Sequence, residues 1–214
     1  MSDATYVVSD GHTVDHMDEH PPTSTGISNE KLGMWVFLAS ECLLFGGLIS
    51  TFVLYRNKVL PSAPGETAEH LHDAFDIAFT STSSFVLLMS SLSMVLAVSA
   101  AQRGDMRILR SWLAVTALLG TVFIAGQFYE FYEFSAIEGF GFTHSPAWSA
   151  FYTLTGFHGA HVTIGIVILL VTLGLTFRGR VGQHNAEAVE IVGLYWHFVD
   201  VVWIVVFTIV YLIK

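Results

Sequence analysis

The chain alternates between long apolar runs and short polar joints. Five runs reach the roughly 20 helical residues that a hydrocarbon core requires. They cover about 32–55, 77–101, 108–134, 148–177 and 189–213. The second run carries no charge, and the fourth has no Asp, Glu, Lys or Arg. Continuous runs predict helices, because barrel strands read as alternating segments of about ten residues. A bilayer also leaves backbone groups unsatisfied outside a helix or a closed barrel. The joints are turn-like: Pro61–Gly65, Arg103-Gly104-Asp105, Gly139–Pro146 and Arg178–Asn185. The expected fold class is all-α, a polytopic membrane bundle of five transmembrane helices within residues 32–214. No internal repeat is visible, which speaks against an inverted-repeat transporter.

Composition supports the membrane class. Of 214 residues, 53% are hydrophobic and only 13% charged, against about 25% charged in a typical soluble domain. The net charge is −9. Acids dominate residues 1–31, where no base precedes Lys31. This stretch reads as a mobile acidic N-terminal tail. It lacks the basic and apolar regions of a signal peptide. His12, His16 and His20 stand four apart within it, a spacing that fits either a solvated tail or, on a helix, a metal site. The acidic balance and the absence of a basic run speak against nucleic-acid binding. Cys42 is the single cysteine, so no intrachain disulfide forms. Lys31, Arg103, Arg107, Arg110, Arg178 and Arg180 fall on the side of the N-terminus, against Arg56, Lys58 and Lys214 on the other. The positive-inside rule then places the N-terminus in the cytoplasm and the C-terminus outside. Trp35, Trp112, Trp148, Trp196 and Trp203 mostly lie toward span ends, as interfacial anchors would.

The polar exceptions inside the spans are the candidate functional residues. Such groups are costly in lipid and usually face protein. Glu41 lies in the first span, and His197 and Asp200 share one face of the fifth. Counting 1.5 Å per residue puts these groups at similar depth, which predicts a Glu41–His197 bridge between the first and fifth helices. Two readings fit: a proton-handling or lipid-gating carboxylate, or a buried hydrogen bond locking two helices. Gln127, Glu130 and Glu133 repeat every third residue near the end of the third span. His158 and His161 lie in the fourth and could approach them. A metal centre is one reading, but the Glu-x-x-His pattern of di-iron bundles is absent, and interhelical hydrogen bonding is the one we favour. Ser81, Ser83, Ser84, Ser90, Ser91 and Ser93, with Gly46, Gly47, Gly156, Gly159 and Gly165, read as small residues for close helix packing. No phosphate loop or hydrolase motif is present.

Four motifs then stand in order along the chain. They are Ser40-Glu41-Cys42-Leu43-Leu44-Phe45-Gly46-Gly47, Gly126-Gln127-Phe128-Tyr129-Glu130-Phe131, Thr155-Gly156-Phe157-His158-Gly159-Ala160-His161-Val162, and Tyr195-Trp196-His197-Phe198-Val199-Asp200-Val201-Val202-Trp203. Together they resemble subunit III of the haem–copper respiratory oxidases, over roughly residues 32–214. Longer members of that family have seven helices, and this chain resembles the short bacterial form lacking the first two. The resemblance implies a cofactor-free accessory subunit of the bacterial inner membrane with no catalytic or metal-binding residue of its own. It implies packing beside subunit I, with subunit II also in the complex, and haem and copper held by those partners. It also implies support for proton uptake and sustained turnover, with bound phospholipid possible where the missing helices would stand. Phe157 within Thr155–Gly159 resembles cytochrome c oxidases, whereas quinol oxidases tend to carry Gly-Thr-His-Gly. The expected electron donor of the complex is therefore cytochrome c, with quinol as the alternative.

Overall fold

The computed structural model describes residues 28–56, 77–137, 139, 141–142, 145–181 and 186–213. Most of residues 1–31, including the three tail histidines, and the Pro61–Gly65 joint lie outside them. Five helices carry the chain: α1 Asn29–Arg56, α2 Ile77–Gln102, α3 Met106–Tyr132, α4 Pro146–Phe177 and α5 Ala186–Phe207. Single π-helical turns extend α3 through Glu133–Ile137 and α5 through Thr208–Leu212. All five are long and apolar enough to cross a membrane. No strand occurs among the described residues. Residues 29–31, left to the tail by the sequence pattern, form the first turn of α1. Ser28 explains the early start, since its side chain accepts from the Lys31 backbone N–H at 3.3 Å.

Local chemistry fixes the other ends. Asp105 caps α3 by accepting from the Ile108 N–H at 3.3 Å. Ser145 caps α4 ahead of Pro146, where a missing N–H costs nothing. Gly104 (φ 75°) and Gly179 (φ 68°) close α2 and α4 in left-handed geometry. The following N–H groups, of Asp105 and Arg180, return to Ala100 and Leu175 carbonyls at 3.0 and 3.1 Å. That is the Schellman closure, which favours glycine.

Helices α2, α3, α4 and α5 pack in a closed ring, and α1 lies outside it against α4 and α5. Leu38, Phe45 and Phe52 are the buried residues of α1. Their spacing of seven gives α1 one narrow seam. Polar ties reinforce that seam at both ends. Lys31 reaches Glu190 at 2.7 Å and Glu187 at 3.8 Å, while Gln102 donates to Glu190 at 2.8 Å. Ser28 bonds Glu187 as well. At the opposite end the Arg56 guanidinium donates to the Ile209 carbonyl at 3.2 Å. Arg110 donates to the Thr176 carbonyl at 2.6 Å and lies over the Phe177 ring. Lys31 and Arg110 make these contacts at the end of the bundle where the α2–α3 turn and the end of α4 also place Arg103, Arg107 and Arg178.

The outward surface is apolar: Leu43 is 80% exposed and Phe128 69%. Water would penalise such a surface, and lipid does not. Three tryptophans depart from the interfacial expectation. Trp148, Trp196 and Trp203 are 3%, 1% and 2% exposed, so they are bundle core. Trp196 lies in a slot between α3 and α4. A methyl at Gly120 would sit 2.5 Å from its Cη2, and one at Gly165 2.9 Å from its Cζ3. Gly120→Ala and Gly165→Ala are each expected to cost about 1–3 kcal/mol by overpacking a rigid ring. Gly46→Ala is the neutral control, because a methyl there meets nothing within 4 Å. Denaturant titration in detergent reads all three.

Candidate functional site

The intramembrane polar residues separate into three layers, each tying different helices. The first joins α1, α4 and α5. Glu41 Oε2 lies 3.1 Å from His161 Nε2. The other ring nitrogen, His161 Nδ1, faces the Phe157 carbonyl at 2.7 Å, and the Tyr195 hydroxyl donates to the His161 carbonyl at 3.0 Å. Phe45 packs edge-on against both imidazoles, His161 at 5.1 Å and His158 at 6.3 Å.

The tautomer follows from these partners. A carbonyl only accepts, so Nδ1 carries the hydrogen. Nε2 and the carboxyl then need one further proton between them. It sits on the acid with neutral histidine, or on the ring with a carboxylate. Both arrangements are neutral as a pair, which suits a site facing hydrocarbon.

The Glu41–His197 bridge expected from depth is not formed. Depth alone could not decide it, because the helix face matters too. Tyr195 faces α1 and α4, packing on Phe37 at 6.3 Å. Two residues further along a helix is about 200° around, so His197 faces α2 instead.

The second layer joins α2 to α5 and α3. His197 Nδ1 meets Ser91 Oγ at 2.6 Å. Asp200 is 4% exposed, and its Oδ1 has no hydrogen-bond partner among the described residues. Trp196 donates to Ser90 at 3.0 Å and Trp203 to Ser84 at 2.8 Å. Along α2 the partners run 84, 90, 91 while along α5 they run 203, 196, 197, the register of an antiparallel pair. Ser93 bonds Thr116 of α3 at 2.8 Å, and Thr80 donates to Glu130 at 2.8 Å. Ser84, Ser90, Ser91 and Ser93 thus supply specific hydrogen bonds besides small volume. Ser81 is exposed.

The third layer lies between α3, α4 and α5. Gln127 Nε2 donates to the Thr155 carbonyl at 2.8 Å, and its Oε1 has no donor among the described residues. A methyl at Gly159 would lie 2.9 Å from that oxygen, so Gly159 does serve close packing. Gly46, Gly47 and Gly156 do not serve it within this chain, since a methyl at any of them meets nothing within 4 Å. His158 is fully buried. Its ring stacks on Trp203 at 4.9 Å and 26°, and neither nitrogen has a hydrogen-bond partner among the described residues.

Gln127, Glu130, His158 and His161 therefore do not converge. Glu130 turns to α2, His161 to α1, and His158 into the aromatic core. No three His, Cys, Asp or Glu side chains come together as a metal site among the described residues. Sequence reasoning missed Thr80, Ser84, Ser90, Ser91 and Tyr195 as partners. One signal was present: Trp196 and Trp203 are seven apart and so share one face of α5.

Comparison with known proteins gives the family. A model of the family described as cytochrome c oxidase subunit III matches residues 14–214. Cytochrome c oxidase subunit 3 of Alkalihalophilus pseudofirmus is 38% identical over 197 residues, covering 92% of this chain and 93% of the relative. Cytochrome bo(3) ubiquinol oxidase subunit 3 of Pseudomonas aeruginosa is 35% identical, covering 96% and 94%. A probable quinol oxidase subunit 3 of Staphylococcus epidermidis is 36% identical, covering 86% and 88%. Five apolar helices, tied by the polar residues of all four motifs and matched along nearly their whole length, place the chain in the cytochrome c oxidase subunit III family of the haem–copper respiratory oxidases.

Proposed function

We propose that the chain is the accessory, non-catalytic subunit of a proton-pumping haem–copper terminal oxidase in a bacterial inner membrane. It packs beside subunit I, within a complex that also contains subunit II, and supports proton uptake by the catalytic subunit. Haem and copper belong to the partners. The observation that carries this reading is the match over residues 14–214. The polar layers support it, because Glu41, Gln127, Glu130, His161 and His197 each bond a neighbouring helix or its side chain. The N-terminus faces the cytoplasm, following the arginine-rich end of the bundle. An N-terminal tag should then be cleaved by an impermeant protease only in inverted vesicles.

The proposed donor to the complex is cytochrome c, on the strength of Phe157 in its motif. Quinol is the second reading, favoured by the Pseudomonas and Staphylococcus relatives. Purification through a tag on this chain in mild detergent tests both levels. Haem should co-purify, and the complex should oxidise reduced cytochrome c. Oxidation of quinol alone selects the second reading, and recovery without haem contradicts the first.

A further inference from the structure

The end of the bundle where α1 begins carries arginines that the fold leaves without acids. Gln102 closes α2 and shares the Glu190 carboxylate with Lys31 of α1. The start of α1 therefore stands beside the turn that leads through Arg103 to Arg107. Arg110 donates to the Thr176 carbonyl at 2.6 Å, which sets the head of α3 against the end of α4 at Arg178. Arg107 and Arg178 are exposed. Among the described residues no carboxylate pairs with Arg103, Arg107, Arg110 or Arg178. The neighbouring acids are engaged elsewhere. Glu187 and Glu190 hold Lys31, and Asp105 caps α3. Arginines at one membrane face follow from the positive-inside rule alone, so they do not by themselves name a partner.

The chain ahead of Ser28 names one. Residues 1–27 hold Asp3, Asp10, Asp15, Asp18 and Glu19 and no Lys or Arg. Four of these acids fall between positions 10 and 19. The segment joins the bundle at the arginine end, because Ser28 bonds Glu187 and caps α1 there. Its length suffices. Glu19 precedes Ser28 by nine residues and Asp10 by eighteen, which allows up to about 30 and 60 Å at about 3.3 Å per residue. Helix α1 packs on α4, and α4 on α3. At 8–10 Å per packed pair, the arginines lie within about 20 Å of the tether. A tethered segment also meets its site at an effective concentration of about millimolar, so ion pairs too weak to hold a free peptide can hold this one. Lipid phosphates compete for the same guanidinium groups, but their supply varies with the membrane, whereas the tether fixes that of the segment.

We propose that the acidic segment Asp10–Glu19 docks across the head of α3 and the end of α4, its carboxylates pairing with Arg107 and Arg178. The segment then forms a cover over the arginine end of the bundle. The pairs are exposed and electrostatic, so the cover opens as salt rises.

The measurement is the rate at which phenylglyoxal, which adds to guanidinium groups, modifies each arginine. The full tagged chain is purified in mild detergent with whatever it carries, and its peptides are read by mass spectrometry. Arg56, at the opposite end, is the internal reference. Asp10→Asn, Asp15→Asn, Asp18→Asn and Glu19→Gln together keep the length and remove the charge. At low salt Arg107 and Arg178 should react about threefold or more faster in this variant than in wild type, the scale of a few exposed ion pairs. Salt at about 1 M, where the screening length falls to about 3 Å, should erase the difference. Equal rates at low salt overturn the proposal. Protection that survives in the variant and is lost when anionic lipid is exchanged for zwitterionic lipid assigns the arginines to lipid and overturns it too. If the variant fails to accumulate, Arg178→Lys provides the second arm. A water-soluble carbodiimide activates a carboxyl, and the introduced amine displaces the urea to leave an amide. Amides from position 178 to residues within Asp10–Glu19 are expected. Amides to Glu187 or Glu190 alone, or none, overturn the proposal.

Discussion

Trp203→Ala is expected to destabilise the bundle by about 3–5 kcal/mol, the usual cost of removing a large buried aromatic side chain. Trp203 joins two ring contacts and one hydrogen bond. It stacks on His158 at 4.9 Å and packs edge-on against Phe123 at 4.8 Å and 77°. It also donates to Ser84 at 2.8 Å. Truncation opens a cavity between α3, α4 and α5 and leaves His158 with one face bare. Trp203→Phe separates packing from hydrogen bonding. It keeps a ring against His158 but loses the Ser84 bond, and should cost roughly 1–3 kcal/mol. Ser84→Ala removes the other partner of the same bond. A double-mutant cycle with Trp203→Phe should therefore show coupling of about 0.5–1.5 kcal/mol. Denaturant titration of the purified complex, followed by loss of this chain, reads the series. Additive effects would mean that the indole–serine bond adds nothing to stability.

Glu41→Ala is the second large effect. It leaves His161 Nε2 without its partner and opens a polar tie in the middle of the α1 seam. Breaking a buried pair by removing one member costs about 3–5 kcal/mol in water-soluble proteins. Interhelical bonds in membranes contribute less, up to about 1.7 kcal/mol, but a buried polar group left unpaired costs about 1–3 kcal/mol, so about 2–3 kcal/mol is expected here. The loss should show as weaker retention of α1 and faster inactivation during turnover, with haem spectra unchanged. Glu41→Gln distinguishes a tie from a proton carrier. Its amide can donate to His161 Nε2 and keep the helices joined, while holding no exchangeable acid. A structural tie predicts near wild-type stability and turnover for Glu41→Gln. Turnover lost equally in both variants would instead make Glu41 a proton-handling group.

The helical class was legible because the bilayer constrains so much. Spans of about 20 apolar residues leave few alternatives, and observed helices exceed the predicted runs by only a few residues at most ends. The Gly104 and Gly179 turns were legible for a similar reason, since left-handed closure names its residue. Pairing between helices was not. Residue counts gave Glu41 and His197 the same depth, but helix rotation sends His197 to Ser91 and brings His161 to Glu41. Serines of α2 read as filler because small size and hydrogen bonding cannot be separated from one sequence. The tryptophans near span ends read as interfacial for want of any view of their neighbours. Gly120 escaped notice because its role is defined by Trp196, 76 positions later in the chain. In each case the missing information was which face of a helix meets which neighbour.

The central claim is that this chain lends its polar residues to holding helices together, while redox chemistry belongs to its partners. Stripping the chain from a purified complex tests that division most directly. Iron, copper and haem are then counted in both fractions. The account predicts that the stripped partners retain all haem and copper and still reduce oxygen in the first turnovers, while the released chain carries none. Stoichiometric iron or copper on the released chain would contradict it.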